Sequence, residues 1–156
     1  MMHVPDVNLL IYAYDSKSPF HLRSKTWWEE TLSTGQSVGI PWIVILAFTR
    51  LMTHPSLSAN PMTVAQVREC VEAWLALPQV LLLVPREPTL GHVFDLLQSV
   101  GTGGNLSTDA LIAAHALECG GIVLSNDTDF ARFKGVRWVN PLAEKSRPPA
   151  PDRPSL

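Results

Sequence analysis

Several classes of protein are excluded by what this sequence of 156 residues lacks. It has only two cysteines, Cys70 and Cys119, which is too few for a disulfide-stabilised scaffold. Both lie in apolar-periodic segments, so we expect buried free thiols in a reducing compartment. No apolar run approaches the roughly 18 residues of a membrane span, and the N-terminus MMHVPDVNLL has no signal-peptide pattern. These absences predict a cytoplasmic protein with no membrane association.

An excess of positive charge is also missing, because the formal net charge is −2. Proteins that bind nucleic acids usually present a basic surface, since neutralising phosphates drives the binding. A nucleic-acid ligand would therefore require local basic patches, metal ions held by a carboxylate cluster, or a partner chain.

The composition and length are those of one globular domain. Hydrophobic residues make up 46% of the chain and charged residues 17%, as is typical of folded proteins. The last stretch, residues 146–156 (SRPPAPDRPSL), contains four prolines and cannot form a helix or an inner strand. We expect a folded domain over residues 1–145 followed by a disordered, proline-rich tail.

Short apolar runs alternate with helical patterns along the chain. The predicted strands are residues 2–5, 37–40, 80–84, 122–124 and 136–139. Helices are predicted between them, with apolar residues three and four positions apart. The continuous apolar run 80–84 is typical of a strand buried on both faces. Strands separated by helices predict an α/β fold with a mainly parallel sheet.

Four aspartates lie where the strands of such a sheet would end. Asp6 follows the first predicted strand, Asp127 and Asp129 follow the strand 122–124, and Asp109 lies in the first turn of a helix that begins at residue 107. Functional groups collect at the carboxyl ends of parallel strands. Clustered carboxylates repel each other, and a hard divalent cation such as Mg²⁺ removes that repulsion.

Each aspartate also has an ordinary structural role open to it. Asp6 suits the cap of the following helix, Asp109 complements a helix dipole, and Asp127 and Asp129 suit the start of a short turn. Residue chemistry alone therefore leaves a metal site and simple capping both open.

Three segments of the chain resemble the PIN domain, and more narrowly VapC, the toxin half of bacterial toxin–antitoxin pairs. They are residues 6–13 (DVNLLIYA), 108–116 (TDALIAAHA) and 125–130 (SNDTDF), and the resemblance spans about residues 2 to 142. It implies a PIN-like three-layer α/β/α fold with a central, mainly parallel sheet.

The resemblance also implies a metal-dependent endoribonuclease. Asp6, Asp109, Asp127 and Asp129 would be the catalytic carboxylates, with the first three as ligands of Mg²⁺, or of Mn²⁺ as a substitute. Asn8 would orient Asp6 by hydrogen bonding, and Ser125 would support the site. The implied partners are a small VapB-like antitoxin whose C-terminal segment fills the active-site groove, a second copy of the chain, and structured RNA such as transfer or ribosomal RNA.

The sequence departs from the family pattern at one position. The family usually carries a glutamate in the helix after the second strand, near Phe48 here, but no Asp or Glu occurs between Glu30 and Glu69. We therefore predict a site with fewer charged ligands, with one tightly held metal ion or with Thr49 acting through water. The alternative is a catalytically weak or inactive PIN-fold module that binds RNA or an antitoxin.

Basic and aromatic residues give further expectations. Arg50, Arg132 and Lys134 are candidates for contact with RNA phosphates, the last two because they closely follow the loop of Asp127 and Asp129. Tryptophans in the helical patterns are expected in the core or at an interface: Trp27, Trp28, Trp42 and Trp74. The glycine-rich stretch 101–105 lacks the lysine of a phosphate-binding loop and predicts a turn between helices. A phospho-acceptor receiver domain is disfavoured, because no aspartate follows the run 80–84.

Overall fold

A computed structural model describes residues 1–58 and 60–143 of the chain, in which strands and helices alternate. The elements are β1 (His3–Pro5), α1 (Val7–Tyr14), α2 (His21–Ser33), β2 (Val38–Pro41), α3 (Trp42–Thr53), α4 (Val64–Leu75), β3 (Val80–Leu83), α5 (Glu87–Val100), α6 (Leu106–Glu118), β4 (Ile122–Leu124) and β5 (Trp138–Val139). A 3₁₀ turn, Thr128–Arg132, lies between the last two strands. The proline-rich tail predicted for residues 146–156 lies outside the described residues.

All five strands are parallel, in the order β3-β2-β1-β4-β5. The chain runs outward from β1 to β3 and then crosses back to β4 on the other side of β1. The carboxyl ends of β1 and β4 thus flank a switch in strand order, where open α/β sheets bind ligands. In this pair Pro5 lies opposite Leu124, so the residues that follow them begin side by side. The predicted α/β fold with a parallel central sheet is confirmed.

The helices bury apolar residues at the spacing that the sequence predicts. In α3 the residues Val44, Phe48 and Met52 recur every four positions and are buried. Phe48 meets Trp74 of α4 edge-on, with 5.1 Å between ring centroids, and Tyr14 of α1 at 5.6 Å. Such aromatic contacts add to the free energy of burial and fix α1, α3 and α4 against one another.

The expectation that the run 80–84 is buried on both faces is wrong. β3 lies at the edge of the sheet, Leu81 is 51% exposed, and Val84 lies beyond the strand and is 58% exposed. The apolar run indicates a strand, because its residues have high strand propensity. Whether that strand is central or at the edge depends on which other strands pair with it, and the run alone does not show this.

Side-chain exposure departs from the sequence pattern at a few other positions. Leu22 of α2 and Val64 of α4 are apolar residues within helical patterns, yet both are exposed. Trp28 and Trp74 are buried as expected, whereas Trp42 is half exposed in the isolated chain. The two cysteines are free, as predicted, but only partly buried.

The predicted turn at residues 101–105 is confirmed. It joins α5 to α6, and Gly101 closes α5 with φ +84°, a left-handed conformation that favours glycine. Among the helices that the structure describes, none is both long and apolar enough to cross a membrane.

Candidate active site

Asp6 is a buried carboxylate at the carboxyl end of β1. One oxygen, Oδ1, accepts a hydrogen bond from the Val7 N–H at 2.7 Å and so caps α1. The other, Oδ2, accepts one from the Ser125 hydroxyl at 2.7 Å. Only 6% of Asp6 is exposed. Capping and membership of a polar site, which were alternatives at the level of sequence, therefore coexist in one side chain.

Ser125 links Asp6 to the loop that follows β4. Its hydroxyl oxygen accepts hydrogen bonds from the Asp127 N–H at 2.9 Å and from Asn8 Nδ2 at 3.3 Å. Because both lone pairs are then occupied, the single hydroxyl hydrogen points to Asp6. Asn8 is therefore hydrogen-bonded to Ser125, which in turn donates to Asp6, so the two residues are connected through the Ser125 hydroxyl.

Three other carboxylates converge beside this pair. Oxygen atoms of Asp109, Asp127 and Asp129 lie within 4.8 Å of one another. Asp109 comes from the first turn of α6, and Asp127 begins the 3₁₀ turn by accepting a hydrogen bond from the Asp129 N–H at 2.9 Å. We refer to these three residues as the aspartate triad. The sequence-based set of metal ligands differs from it, with Asp6 in place of Asp129.

Crowding and burial make the site electrostatically unfavourable without a counter-charge. The pKa of Asp109 is raised to about 7, first by burial and then by the charges of Asp6, Asp127 and Asp129. Burial also raises the pKa of Asp6, a rise that hydrogen bonds from Ser125 and Val7 oppose and the charge of Asp127 reinforces. Asp6 is not a member of the triad, but its charge contributes to the raised pKa of Asp109. An all-carboxylate oxygen donor set with a raised pKa suits Mg²⁺ or Mn²⁺.

Two further residues contact the loop that follows β4, and the sequence-based reasoning did not assign either of them to the site. Trp138 in β5 donates from Nε1 to the Ser125 carbonyl oxygen at 3.1 Å. Asn140, just after β5, donates from Nδ2 to Asn126 Oδ1 at 2.9 Å. Both occur in the segment WVNPL near the end of the resemblance. Their partners depend on the pairing of β4 with β5, which residue types alone do not reveal.

The remaining candidate residues are spread over the surface. The Thr49 hydroxyl donates to the Ile45 carbonyl oxygen at 2.8 Å, and Thr49 lines a depression between α3 and α4 rather than joining the triad. Arg132 lies 3.9 Å from Asp129. Arg50 is exposed on α3, and Lys134 lines a depression beside α5.

A separate cavity of about 720 Å³ lies between α1, α2 and α4. None of the four aspartates lines it. Aromatic side chains, two carboxylates and a thiol contribute to its wall: Tyr14, Trp28, Trp74, Glu29, Glu69 and Cys70. We call it the aromatic groove.

Comparison with known proteins supports a single family assignment. Residues 4–136 match the PIN domain. Ribonuclease VapC37 of Mycobacterium tuberculosis is 39% identical over 142 residues, which is 91% of this chain and 99% of that protein. Ribonuclease VapC33 of the same species is 36% identical over 143 residues, which is 92% of this chain and 100% of that protein.

The fold is shared with a chain of a solved VapBC2 structure. A chain in the crystal structure of VapBC2 from Rickettsia felis, bound to a DNA fragment from its promoter, matches with a TM-score of 0.63 at 18% identity, covering 90% of this chain and 98% of that chain. Residues 4–136 match the family, and the two curated relatives are 36% and 39% identical over 92% and 91% of this chain. The chain therefore belongs to the PIN domain family, and its sequence relatives are VapC ribonucleases.

Proposed function

We propose that this protein is a metal-dependent endoribonuclease and the toxin of a VapBC-type toxin–antitoxin pair. The observation that carries the proposal is the aspartate triad, with Asp6 beside it, at the switch in strand order. Full-length similarity to proteins named as VapC ribonucleases supports the reaction class. Mg²⁺, with Mn²⁺ as a substitute, is the proposed cofactor.

The residues of the site divide into ligands and supports. Asp109 and Asp127 would hold the metal, with Asp129 or Asp6 completing the set. When bound, the divalent ion would neutralise charge on the scissile phosphate and act as a Lewis acid. The hydroxyl hydrogen that Ser125 donates favours the ionised form of Asp6 and opposes the effect of burial. The other oxygen of Asp6 accepts from the Val7 N–H, so the carboxylate cannot rotate freely.

The position of Asp129 favours an active nuclease over the alternative of an inactive binding module. The position of the absent helix glutamate is close to Phe48, which is fully buried in the core. Asp129 nevertheless brings a third carboxylate into the triad. With Asp6, four aspartates therefore remain available, which is more than the one or two carboxylates that commonly hold Mg²⁺.

Structured RNA, such as transfer or ribosomal RNA, is the proposed substrate. Arg132 is the best-placed cation for a substrate phosphate, because it lies 3.9 Å from Asp129 and is half exposed. Arg50 and Lys134 lie on other parts of the surface, where they would contact more distant phosphates of a folded RNA. Such contacts position the RNA without reading its sequence.

A small VapB-like antitoxin is the proposed inhibitor, and the aromatic groove is a surface suited to part of it. Tyr14, Leu32 and Met62 are partly exposed and offer apolar area, while the exposed Glu29 and Glu69 give the rim negative charge. This combination favours a peptide that carries apolar and basic side chains. A basic segment of the antitoxin would also be attracted to the negative charge of the aspartate triad.

Self-association is proposed on the basis of an exposed apolar surface. Leu90 and Phe94, one turn apart on α5, are each more than half exposed, as are Leu81 in the edge strand and Val84 just after it. Exposed apolar surface of this kind marks interfaces between proteins, and a homodimer would cover it.

The test of the nuclease is cleavage of total cellular RNA by the purified protein in Mg²⁺, in Mn²⁺ and in EDTA. Wild type would be compared with Asp6→Asn and Asp109→Asn. Asp95→Asn, which changes an exposed carboxylate on α5, is the matched control. We expect discrete fragments that require metal, persist with the control, and decrease at least about a hundredfold in both site variants.

Two results would contradict the proposal. Cleavage that survives EDTA would exclude the metal dependence. Absence of cleavage by folded protein, freed of antitoxin, would favour the inactive binding module instead.

A further inference from the structure

Asn140 is connected to the aspartate triad although it lies outside it. Its Nδ2 donates to Asn126 Oδ1 at 2.9 Å. Asn126 stands between Ser125, which contacts Asp6, and Asp127, which belongs to the triad. A displacement of Asn126 would therefore move a residue on each side of the site.

The orientation of both amides is fixed by a backbone group. Asn140 Oδ1 accepts a hydrogen bond from the Leu142 N–H at 2.9 Å. Because a backbone N–H only donates, the Asn140 amide must present its oxygen to Leu142 and its NH₂ to Asn126. Asn126 must then accept this hydrogen bond through Oδ1, so the amide orientations of both asparagines are determined.

The segment that carries Asn140 is itself firmly anchored. Leu142 is buried with Leu9 of α1 and Leu124 of β4. Arg23 of α2 donates to the Leu142 carbonyl oxygen at 2.8 Å. Asn140 thus joins the loop of Asp127 and Asp129 to a rigid part of the core, as the support of a precise site requires.

The opposite side of Asn126 is held as well, because its backbone N–H faces Asn8 Oδ1 at 3.5 Å. That contact is long, so it restrains Asn126 weakly. The shorter bond from Asn140 is the stronger of the two restraints.

We propose that Asn140 is a positioning residue that holds Asn126, and through it Asp127 and Asp129, in the arrangement that binds a divalent cation. The inference rests on the proposed function, since it assumes that the aspartate triad binds metal. It assigns to the segment after β5 a role in metal affinity rather than in the chemical step.

The test is the dissociation constant for Mn²⁺, measured without RNA by calorimetry and by the electron paramagnetic resonance of free Mn²⁺. Asn140→Ala and Asn126→Ala each remove the same side-chain bond. We expect each to raise the dissociation constant about tenfold, as changes to the supports of metal ligands do. The double variant should bind no more weakly than either single variant, because the two changes abolish one shared contact.

Gln79→Ala is the matched control, since it removes a side-chain hydrogen bond of the same length, from Gln79 Nε2 to the Leu32 carbonyl oxygen at 2.9 Å, and leaves the pair of asparagines in place. It should lower the melting temperature and leave the Mn²⁺ dissociation constant within about twofold of wild type. An equal loss of affinity in this control would overturn the inference in favour of general loosening.

Failure of the inference and failure of the proposed function give different results. Tight Mn²⁺ binding by wild type that is unchanged in both asparagine variants would overturn the role of Asn140 and leave the nuclease intact. Wild-type binding no tighter than that of Asp109→Asn would overturn the metal site itself, and the role of Asn140 with it.

Discussion

At the scale of single residues, the partly buried carboxylate of Asp109 lowers the stability of the folded protein when it is charged. Its pKa is raised from 3.8 to about 7 by burial and by three neighbouring carboxylates. Between these two values the folded chain holds a proton that the unfolded chain releases. The contribution of Asp109 to the free energy of unfolding therefore falls as pH rises through this window.

We predict that Asp109→Asn raises the melting temperature of the metal-free protein at pH 8. Removing the charge relieves the cost of burying it and its repulsion from the neighbouring carboxylates, together worth about 1–2 kcal/mol once discounted for solvent screening. This corresponds to a rise of about 2–8 °C, measured by calorimetry in EDTA. At pH 4 the wild-type side chain is already protonated when folded, so the difference should nearly vanish.

Excess Mg²⁺ should reverse the order at pH 8, because only the wild type gains stability from binding it. Asp95→Asn serves again as the control and should show no such pH-dependent gain. A variant that is less stable than wild type at both pH values would contradict the electrostatic account of Asp109.

At the scale of elements, the pairing of β1 with β4 determines whether the four aspartates meet. Gly121 lies directly before β4, where the Ile122 N–H donates to the Met2 carbonyl oxygen at 2.9 Å. A Cβ atom on Gly121 would lie 2.6 Å from that same oxygen. Because the Met2 carbonyl oxygen is a backbone atom, it cannot move aside as a side chain could. Strands β1 and β4 would therefore have to separate.

We predict that Gly121→Ala destabilises the protein by about 2 kcal/mol or more. The loss should appear in urea unfolding as a lower midpoint with little change in slope. Metal-dependent activity of the folded fraction should fall too, because Asp6 and Asp127 depend on this strand pair.

Gly103→Ala is a suitable comparison. Its added Cβ would meet only the Ser107 hydroxyl at 3.7 Å, an ordinary contact. It should leave the unfolding midpoint nearly unchanged, and an equal loss in both variants would rule out the clash at Met2 as the cause.

The elements also show which parts of the structure were predictable. Helices were predicted between the strands from apolar residues three and four positions apart, and Val44, Phe48 and Met52 of α3 are buried at that spacing. The aspartates were expected to meet because the carboxyl ends of parallel strands share one edge of the sheet. The edge position of β3 and the bond from Asn140 to Asn126 were not predicted. Both depend on which strands become neighbours, and that information is spread over the whole chain.

At the scale of the whole molecule, α5 presents an apolar surface to solvent. Phe94 and Leu90 share one side of the helix and are both exposed. We predict that Phe94→Lys converts a homodimer to a monomer, since it places a charge in the centre of the proposed interface. Sedimentation equilibrium at micromolar concentration measures the change.

Leu22→Lys tests whether any exposed apolar residue has the same effect, because Leu22 is exposed on α2. It should leave the dimer intact. A wild-type protein that is monomeric across the concentration range would rule out self-association through α5.

The path of the chain through the sheet has a consequence for synthesis on the ribosome. Asp6 emerges early, but its hydrogen-bond partner Ser125 and the aspartates 127 and 129 follow more than a hundred residues later. For the proposed ribonuclease, a nascent chain therefore carries no assembled catalytic centre through most of its translation. Cleavage competence arises only when the last strands join the sheet, which leaves the translating ribosome and its transfer RNAs protected until then.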